Sequence, residues 1–220
     1  MKKFIVLDTE ATNTGAMDTR DIAQGAQVYD LGYTVADASG AVYLERRFII
    51  SDVFCNVSLM ETAYYADKIP AYHVALAAGD ATMVTLKEAM ATLRADIREH
   101  NVNTVWAYNA RFDRTALNSS VATASNGWNT WALPYGVKWC DILQFARTTI
   151  CATKKYKKFC AENGYLTKTG RARHTADMVG KYLKNTDYTE EHTALQDARD
   201  ELDILLACMR RKKKQPKRFN

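Results

Sequence analysis

Four acidic side chains in this sequence have the types and spacing to hold a divalent cation: Asp8, Glu10, Asp113 and Asp197. Asp8 and Glu10 stand two apart at the end of an apolar run, Phe4-Ile5-Val6-Leu7. A strand repeats its side-chain direction every two residues, so both carboxylates point to one face at the strand's C-terminal end. Two like charges beside a core repel each other and lose hydration, and a bound divalent cation relieves both penalties. The alternative for this pair alone is an exposed turn carrying two solvated acids. Asp113 follows a second apolar run, in Asn109-Ala110-Arg111-Phe112-Asp113, and Asp197 falls in the first turns of the last helix. Singly, an aspartate at a helix start more often serves the helix dipole. As a set, acids from strand ends and helix starts of three separate segments form an oxygen-rich site for Mg²⁺ or Mn²⁺ once a sheet draws them together.

The elements that must position these residues are readable from periodicity. Phe4 to Glu10 predicts a short buried strand, and Gln27 to Ala36 and Ala41 to Ile50 predict two more, joined through the turn-forming residues Asp37 to Gly40. Together they make a three-stranded antiparallel meander. Leu86, Met90, Leu93 and Ile97 mark an amphipathic helix from about Thr85 to Glu99. Thr104 to Tyr108 predicts a strand, followed after Asn109 by a helix that gives way to a loop around residues 118–136. Helices are expected at Asp141 to Thr148 and at Lys154 to Asn163, the latter stopping at Gly164. A last helix carries the stripe Leu195, Ala198, Leu202, Leu205 and Met209, and Thr193 with Gln196 fits a capping box at its start. The order β-β-β-α-β-α followed by helices predicts an α/β chain of ribonuclease-H-like layout: a mixed central sheet, the antiparallel meander plus parallel strands, flanked by helices.

His192 lies just before the last helix, at the end of a loop. Two positions five apart within a helix would point about 140° apart, so His192 and Asp197 would not share a face of one helix.

With these segments in view, the chain resembles the DEDDh 3′-to-5′ exonucleases, the superfamily of the bacterial polymerase proofreading subunit. Asp8-Thr9-Glu10 resembles the first motif, Asn109 to Asp113 the second, and His192-Thr193-Ala194-Leu195-Gln196-Asp197 the third, HxxxxD. Asp141 to Arg147 and Tyr156 to Tyr165 resemble connecting segments of that family, and Thr175 to Ala194 resembles small phage-encoded members. A tyrosine branch of the superfamily carries Tyr four residues before the last Asp; Thr193 stands there, which indicates the histidine branch. The resemblance implies a two-metal mechanism with two Mg²⁺ or Mn²⁺ ions. In it Asp8 and Glu10 ligate the metals, Asp197 holds the one carrying the attacking water, Asp113 positions the other, and His192 is the general base. Phosphodiesters are anionic and resist hydroxide, so cations that neutralise the phosphate and acidify the water suit the reaction, and a neutral imidazole removes the proton. The implied substrate is a single-stranded DNA or RNA 3′ end, releasing nucleoside 5′-monophosphates, with Thr9, Thr12, Asn109 and Phe112 as candidate substrate contacts; for Phe112 simple packing is the plainer role. Asn13 departs from the usual Gly of the family, which alters the loop after the first strand. The other readings are a structure-specific nuclease of the same fold and a nucleic-acid-binding or polymerase-associated module.

Composition bounds the rest. Length 220, 47% hydrophobic, 25% charged and only three Pro exclude collagen-like, disordered and low-complexity classes. Residues 1–209 are expected to form one domain and 210–220 a basic tail. The longest early apolar run, Phe4 to Leu7, is far short of a signal-peptide core or of the ~20 residues that span a membrane. Five cysteines without a CxxC argue against a disulfide framework or thiolate zinc site, so a reducing, cytoplasmic setting is expected. His73, His100 and His174 have no partner at metal-ligand spacing. The net charge of +5 sits in the tail, where Arg210 to Asn220 hold seven Lys/Arg and no acid. That run is either a polybasic arm for an anionic partner or a solvated helix end. Between Lys154 and Lys184 lie nine Lys/Arg against Glu162 and Asp177, a candidate phosphate-contacting surface or an ordinary solvated one. Tyr64, Tyr65, Trp128 and Trp131 are either base-stacking residues or, as clustered aromatics usually are, packing residues.

Overall fold

One mixed sheet organises the chain in a computed structural model that describes residues 2–12, 25–63, 65–184, 192–211 and 218–219. Strands β1 (Lys3–Ala11), β2 (Val28–Asp37) and β3 (Val42–Ile50) form the antiparallel meander. Short helices α1 (Ser51–Phe54) and α2 (Val57–Met60), a 3₁₀ turn at Ala66–Lys68 and α3 (Ile69–Ala78) lead to β4 (Thr82–Val84), parallel to β3. Helix α4 (Leu86–Glu99) follows, then β5 (Thr104–Ala107), α5 (Arg111–Ala124) and β6 (Lys138–Asp141). Helices α6 (Ile142–Thr149), α7 (Lys154–Glu162), α8 (Ala176–Lys184) and α9 (Ala194–Arg210) precede a two-residue strand β7 (Arg218–Phe219). Strand order is β4-β3-β2-β1-β5-β6-β7, with β1, β5 and β6 parallel and β7 antiparallel at the edge. The mixed α/β sheet flanked by helices is the layout expected from the sequence.

Alternation along β1 divides the molecule. Ile5 and Leu7 enter a core shared with Leu93 of α4 and Leu117 of α5, whereas Phe4 and Val6 enter a second core with Phe145, Tyr156, Val179 and Leu205. Asp8 and Glu10 continue the Phe4–Val6 set, so the period of two delivers both acids to the face that α9 covers. Thr9, between them, turns toward α5.

Several expectations are corrected. Thr193 is the N-cap of α9, but its side chain makes no capping bond; the buried Asp30 carboxylate accepts the Ala194 N–H instead, at 3.2 Å. A capping box does stand at Thr85 and Glu88, which fix the start of α4. Lys138–Asp141 is a strand where the sequence reading begins a helix at Asp141, because its backbone pairs with β5. Helix α5 runs to Ala124, into the predicted loop. Trp128 and Trp131 do not pack: they are 94% and 63% exposed, since polar bonds hold their loop. Asn118 Oδ1 accepts the Ala132 N–H, and Arg94 donates to the carbonyls of Trp131 and Ala132. Part of the basic tail pairs with β6 as β7; residues 212–217 lie outside the described residues, as do Asn13 and Tyr64. The five cysteines are free thiols, and no described helix is long and apolar enough to cross a membrane.

Candidate functional site

Three of the expected acids converge. Asp8 and Glu10 at the end of β1 and Asp197 in the first turn of α9 each offer a carboxylate oxygen, and these oxygens all lie within 4.8 Å of one another. Asp8 is half-buried, and Glu10 and Asp197 are buried. Asp113, in the first turn of α5, joins from the other side: its Oδ1 accepts the backbone N–H of Thr9 at 3.1 Å and the Thr9 hydroxyl at 2.9 Å. The residue between the two β1 acids thus locks the fourth acid beside them.

What brings α9 here is a close approach that only glycine allows. Gly32 of β2 lies opposite Asp8. A Cβ at Gly32 would sit 2.1 Å from the Leu195 nitrogen and 2.2 Å from the Ala194 carbonyl carbon, so the helix start rests directly on β2. Asp30, opposite Glu10, takes the Ala194 N–H and is itself held by Arg47 at 3.0 Å. Arg47 compensates a carboxylate that is fully buried and would otherwise carry a large desolvation cost. The two β2 residues opposite the β1 acids therefore anchor the helix that supplies Asp197.

The electrostatics are those of crowded, desolvated anions. Asp8 is held well above the ordinary carboxylate range by burial and then by the fields of Asp113, Glu201, Glu10 and Asp197. Burial, then Asp197 and Asp30, push Glu10 up to about 9, against an opposing pull from Lys68. Asp113 is raised by burial, opposed by its bonds from Thr9. Carboxylate-only donors in a partly dry site, each costly to ionise without a counterion, fit hard divalent cations.

Sequence reasoning missed three neighbours. Glu201, buried on α9, accepts the Tyr108 N–H at 3.0 Å and repels Asp8; its place four residues after Asp197, on the same helix face, was the available signal. Asp141 caps α6, taking the Gln144 N–H at 3.3 Å and the Asn109 N–H, and adds repulsion at Asp113. Lys68 follows no motif, yet its charge reaches both Glu10 and His192.

His192 stands outside α9, as expected, with a left-handed backbone (φ 53°). Its ring stacks on Tyr65, with centroids 4.6 Å apart and planes 15° from parallel. Burial, then Lys68, lower its pKa, opposed by Asp177, so the imidazole is neutral at pH 7. It is not one of the three residues whose ligand atoms converge. Of the other candidates, Thr12 is buried and its hydroxyl accepts the Gln27 N–H, Phe112 packs on the α4–α5 side core, and Asn109 turns β5 into α5 with φ 62°.

No protein-family model and no curated protein sequence matches this chain. Solved structures do. A full-length 3′-exonuclease superposes with a TM-score of 0.56 at 11% identity, covering 97% of this chain and 62% of the other. Cell-death related nuclease 4 gives a TM-score of 0.53 at 10% identity, covering 96% and 64%. This chain spans just under two thirds of the length of either. The likeness extends over nearly all of this chain and shows its fold, which is ribonuclease-H-like.

Proposed function

We propose that the chain is a metal-dependent nuclease that hydrolyses phosphodiester bonds from the 3′ end of single-stranded DNA or RNA, releasing nucleoside 5′-monophosphates. The observation that carries this is the convergence of Asp8, Glu10 and Asp197 within 4.8 Å at the centre of the sheet, with Asp113 tied to Thr9. The names of the two structural neighbours agree with the reaction class and, for one, with the direction.

Asp8, Glu10 and Asp197 would hold divalent cations, with Asp113 completing the set, and His192 would be the general base. When bound, such ions supply positive charge to the phosphate and acidify the attacking water. The chain's own residues do the rest. Gly32 and Asp30 fix α9, so that Asp197 reaches β1; Thr9 fixes Asp113; Glu201 and Asp141 hold the amides of Tyr108 and Asn109, which set the start of α5. The lowered pKa of His192 leaves its ring able to accept a proton at neutral pH. Its stacking on Tyr65 defines the arrangement from which it would have to act.

The test is incubation of 3′-labelled DNA and RNA oligonucleotides with Mg²⁺ or Mn²⁺, beside Asp8→Ala. Mononucleotide products from the wild type alone support the proposal. Internal fragments from an oligonucleotide with a blocked 3′ end would make it an endonuclease, and intact strands under every condition would refute hydrolysis.

A further inference from the structure

A second charged cluster, of opposite sign, borders the first. Beyond the C-terminal end of β5 lies a cavity of about 640 Å³, lined among others by Asn109, Arg147, Arg173, His174 and Thr175. That volume falls in the range of sites for nucleotide-sized ligands. Its floor, Tyr108 and Asn109, is the pair whose amides Glu201 and Asp141 hold, so cavity and acidic cluster share a wall.

Acids neutralise only part of the basic charge in this region. Within Lys154 to Lys184, Lys158 pairs with Glu162, Lys181 with Asp177, and Lys184 with Asp200 and Asp203. Arg147 and Arg173 have no ion-pair partner among the described residues. Asp141, which feels the field of Arg147, is engaged with the Gln144 and Asn109 amides. Positive charge is concentrated enough that Arg147 and Lys157, after burial, lower the pKa of His174.

The wall carrying Arg173 and His174 is also fixed in place. The Tyr156 hydroxyl donates to the Arg173 carbonyl and the Tyr108 hydroxyl to the His174 carbonyl, both at 2.5 Å. The Arg173 N–H donates to Tyr165 O at 3.0 Å. Thr175, on the same rim, accepts the Met178 N–H at 3.4 Å and so fixes the start of α8. Guanidinium forks on a fixed wall suit the tetrahedral oxygens of phosphate, which they bind bidentately.

We propose that this cavity is a backbone-phosphate subsite, gripping the polynucleotide strand on the 5′ side of the nucleotide whose phosphodiester lies at the acidic cluster. This rests on the reading of that cluster as the hydrolytic centre. Arg147 and Arg173 are the phosphate contacts, with Asn109 and His174 beside them. The exposed lysines of α7 contribute field at the cavity, as Lys157 does at His174, but do not line it.

The test is binding of fluorescent single-stranded DNA and RNA oligonucleotides across a salt series in EDTA, in an Asp8→Asn background that removes one cluster charge and any turnover. Arg147→Ala and Arg173→Ala, both at exposed positions, are each compared with Lys87→Ala on α4. Each arginine change is expected to weaken binding about three- to tenfold and to flatten the slope of log K against log salt by about 0.7, the value for one phosphate contact on a single strand, whereas Lys87→Ala leaves the slope unchanged. Arginine variants matching Lys87→Ala, or no binding of any strand, overturn the subsite. The same arginine changes in the wild-type background should raise KM for oligonucleotides while leaving kcat, and leave unchanged the hydrolysis of a nucleoside 5′-nitrophenyl phosphate, which has no upstream phosphate. Altered slopes in a chain that hydrolyses nothing would keep the subsite and remove the nuclease reading; hydrolysis with unaltered slopes would do the reverse.

Discussion

Gly32→Ala is the sharpest perturbation of the site, because it changes no charged or polar group. The added Cβ would meet Leu195 N at 2.1 Å and two Ala194 atoms at 2.2 and 2.5 Å. All are backbone, so no rotamer change relieves the clash, and ordinary contact requires α9 to retreat by roughly 1–1.5 Å, the shortfall from normal van der Waals separation. Overpacking of this kind costs about 1–3 kcal/mol, or about 2–12 °C in Tm for a chain of this size. The functional loss should be larger than the stability loss suggests. Asp197 is on the first turn of the displaced helix, and a misplacement near 1 Å costs on the order of 10²-fold in rate. Two assays check this: nuclease rate, and the rise in Tm produced by Mg²⁺, which reports ion binding without any assumption about substrate. Both should collapse in Gly32→Ala. Gly79→Ala is the control, since its Cβ would touch nothing within 4 Å. There the left-handed backbone costs about 1–2 kcal/mol with rate and Mg²⁺ response intact. If Gly32→Ala keeps its Mg²⁺-dependent rise in Tm and a rate within threefold of wild type, the close approach does not position the site.

Asp8→Asn should stabilise the metal-free protein while abolishing activity. Unit charges at the 4.8 Å limit within which these oxygens lie repel by about 3–4 kcal/mol at an effective dielectric of 20, and partial protonation leaves about 1–3 kcal/mol to recover, read as a higher Tm in EDTA. In wild type the same crowding sets a pH dependence. Folded pKa values raised above the unfolded ones mean that the native state binds more protons, so the stabilising contribution is largest below about pH 4.5 and is lost as pH rises toward about 9 at Glu10. Tm in EDTA should therefore fall between pH 5.5 and 8.5, and the increment from Mg²⁺ should grow over that range, because the ion competes with protons; a flat Tm in EDTA would contradict the crowding. Arg47→Met should cost about 3–5 kcal/mol by leaving Asp30 buried and uncompensated, measured by urea unfolding. His192→Ala should reduce kcat by about 10²–10⁴ with the Mg²⁺ response of Tm preserved, whereas Asp197→Ala loses both.

Local pattern carried much of this into view. The alternation of Phe4, Val6, Asp8 and Glu10 puts two acids on one face whatever lies above them, because strand periodicity is a property of the backbone. The stripe of α9 and the apolar run of β5 likewise locate Asp197 and Asp113 on their elements, and element order specifies the mixed sheet. Patterns of this kind depend on residues a few positions apart, so the chain displays them in one dimension. The roles of Gly32 and Asp30 depend on a helix more than 160 positions away, and nothing near either residue marks them. The same holds for the Thr9–Asp113 lock, for Glu201 beside Asp8, for Lys68 near Glu10 and His192, and for the two arginines brought to one cavity. The capping box expected at Thr193 did not form: the Thr193 side chain makes no capping bond, and the start of the helix is held instead through the Ala194 N–H by a buried carboxylate from β2. Sequence alone determined which groups could do chemistry and which face of which element carries them. Tertiary structure decided which of them meet, because distances between carboxylates are set by helix-on-sheet packing, and that packing turns on the absence of a single methyl group.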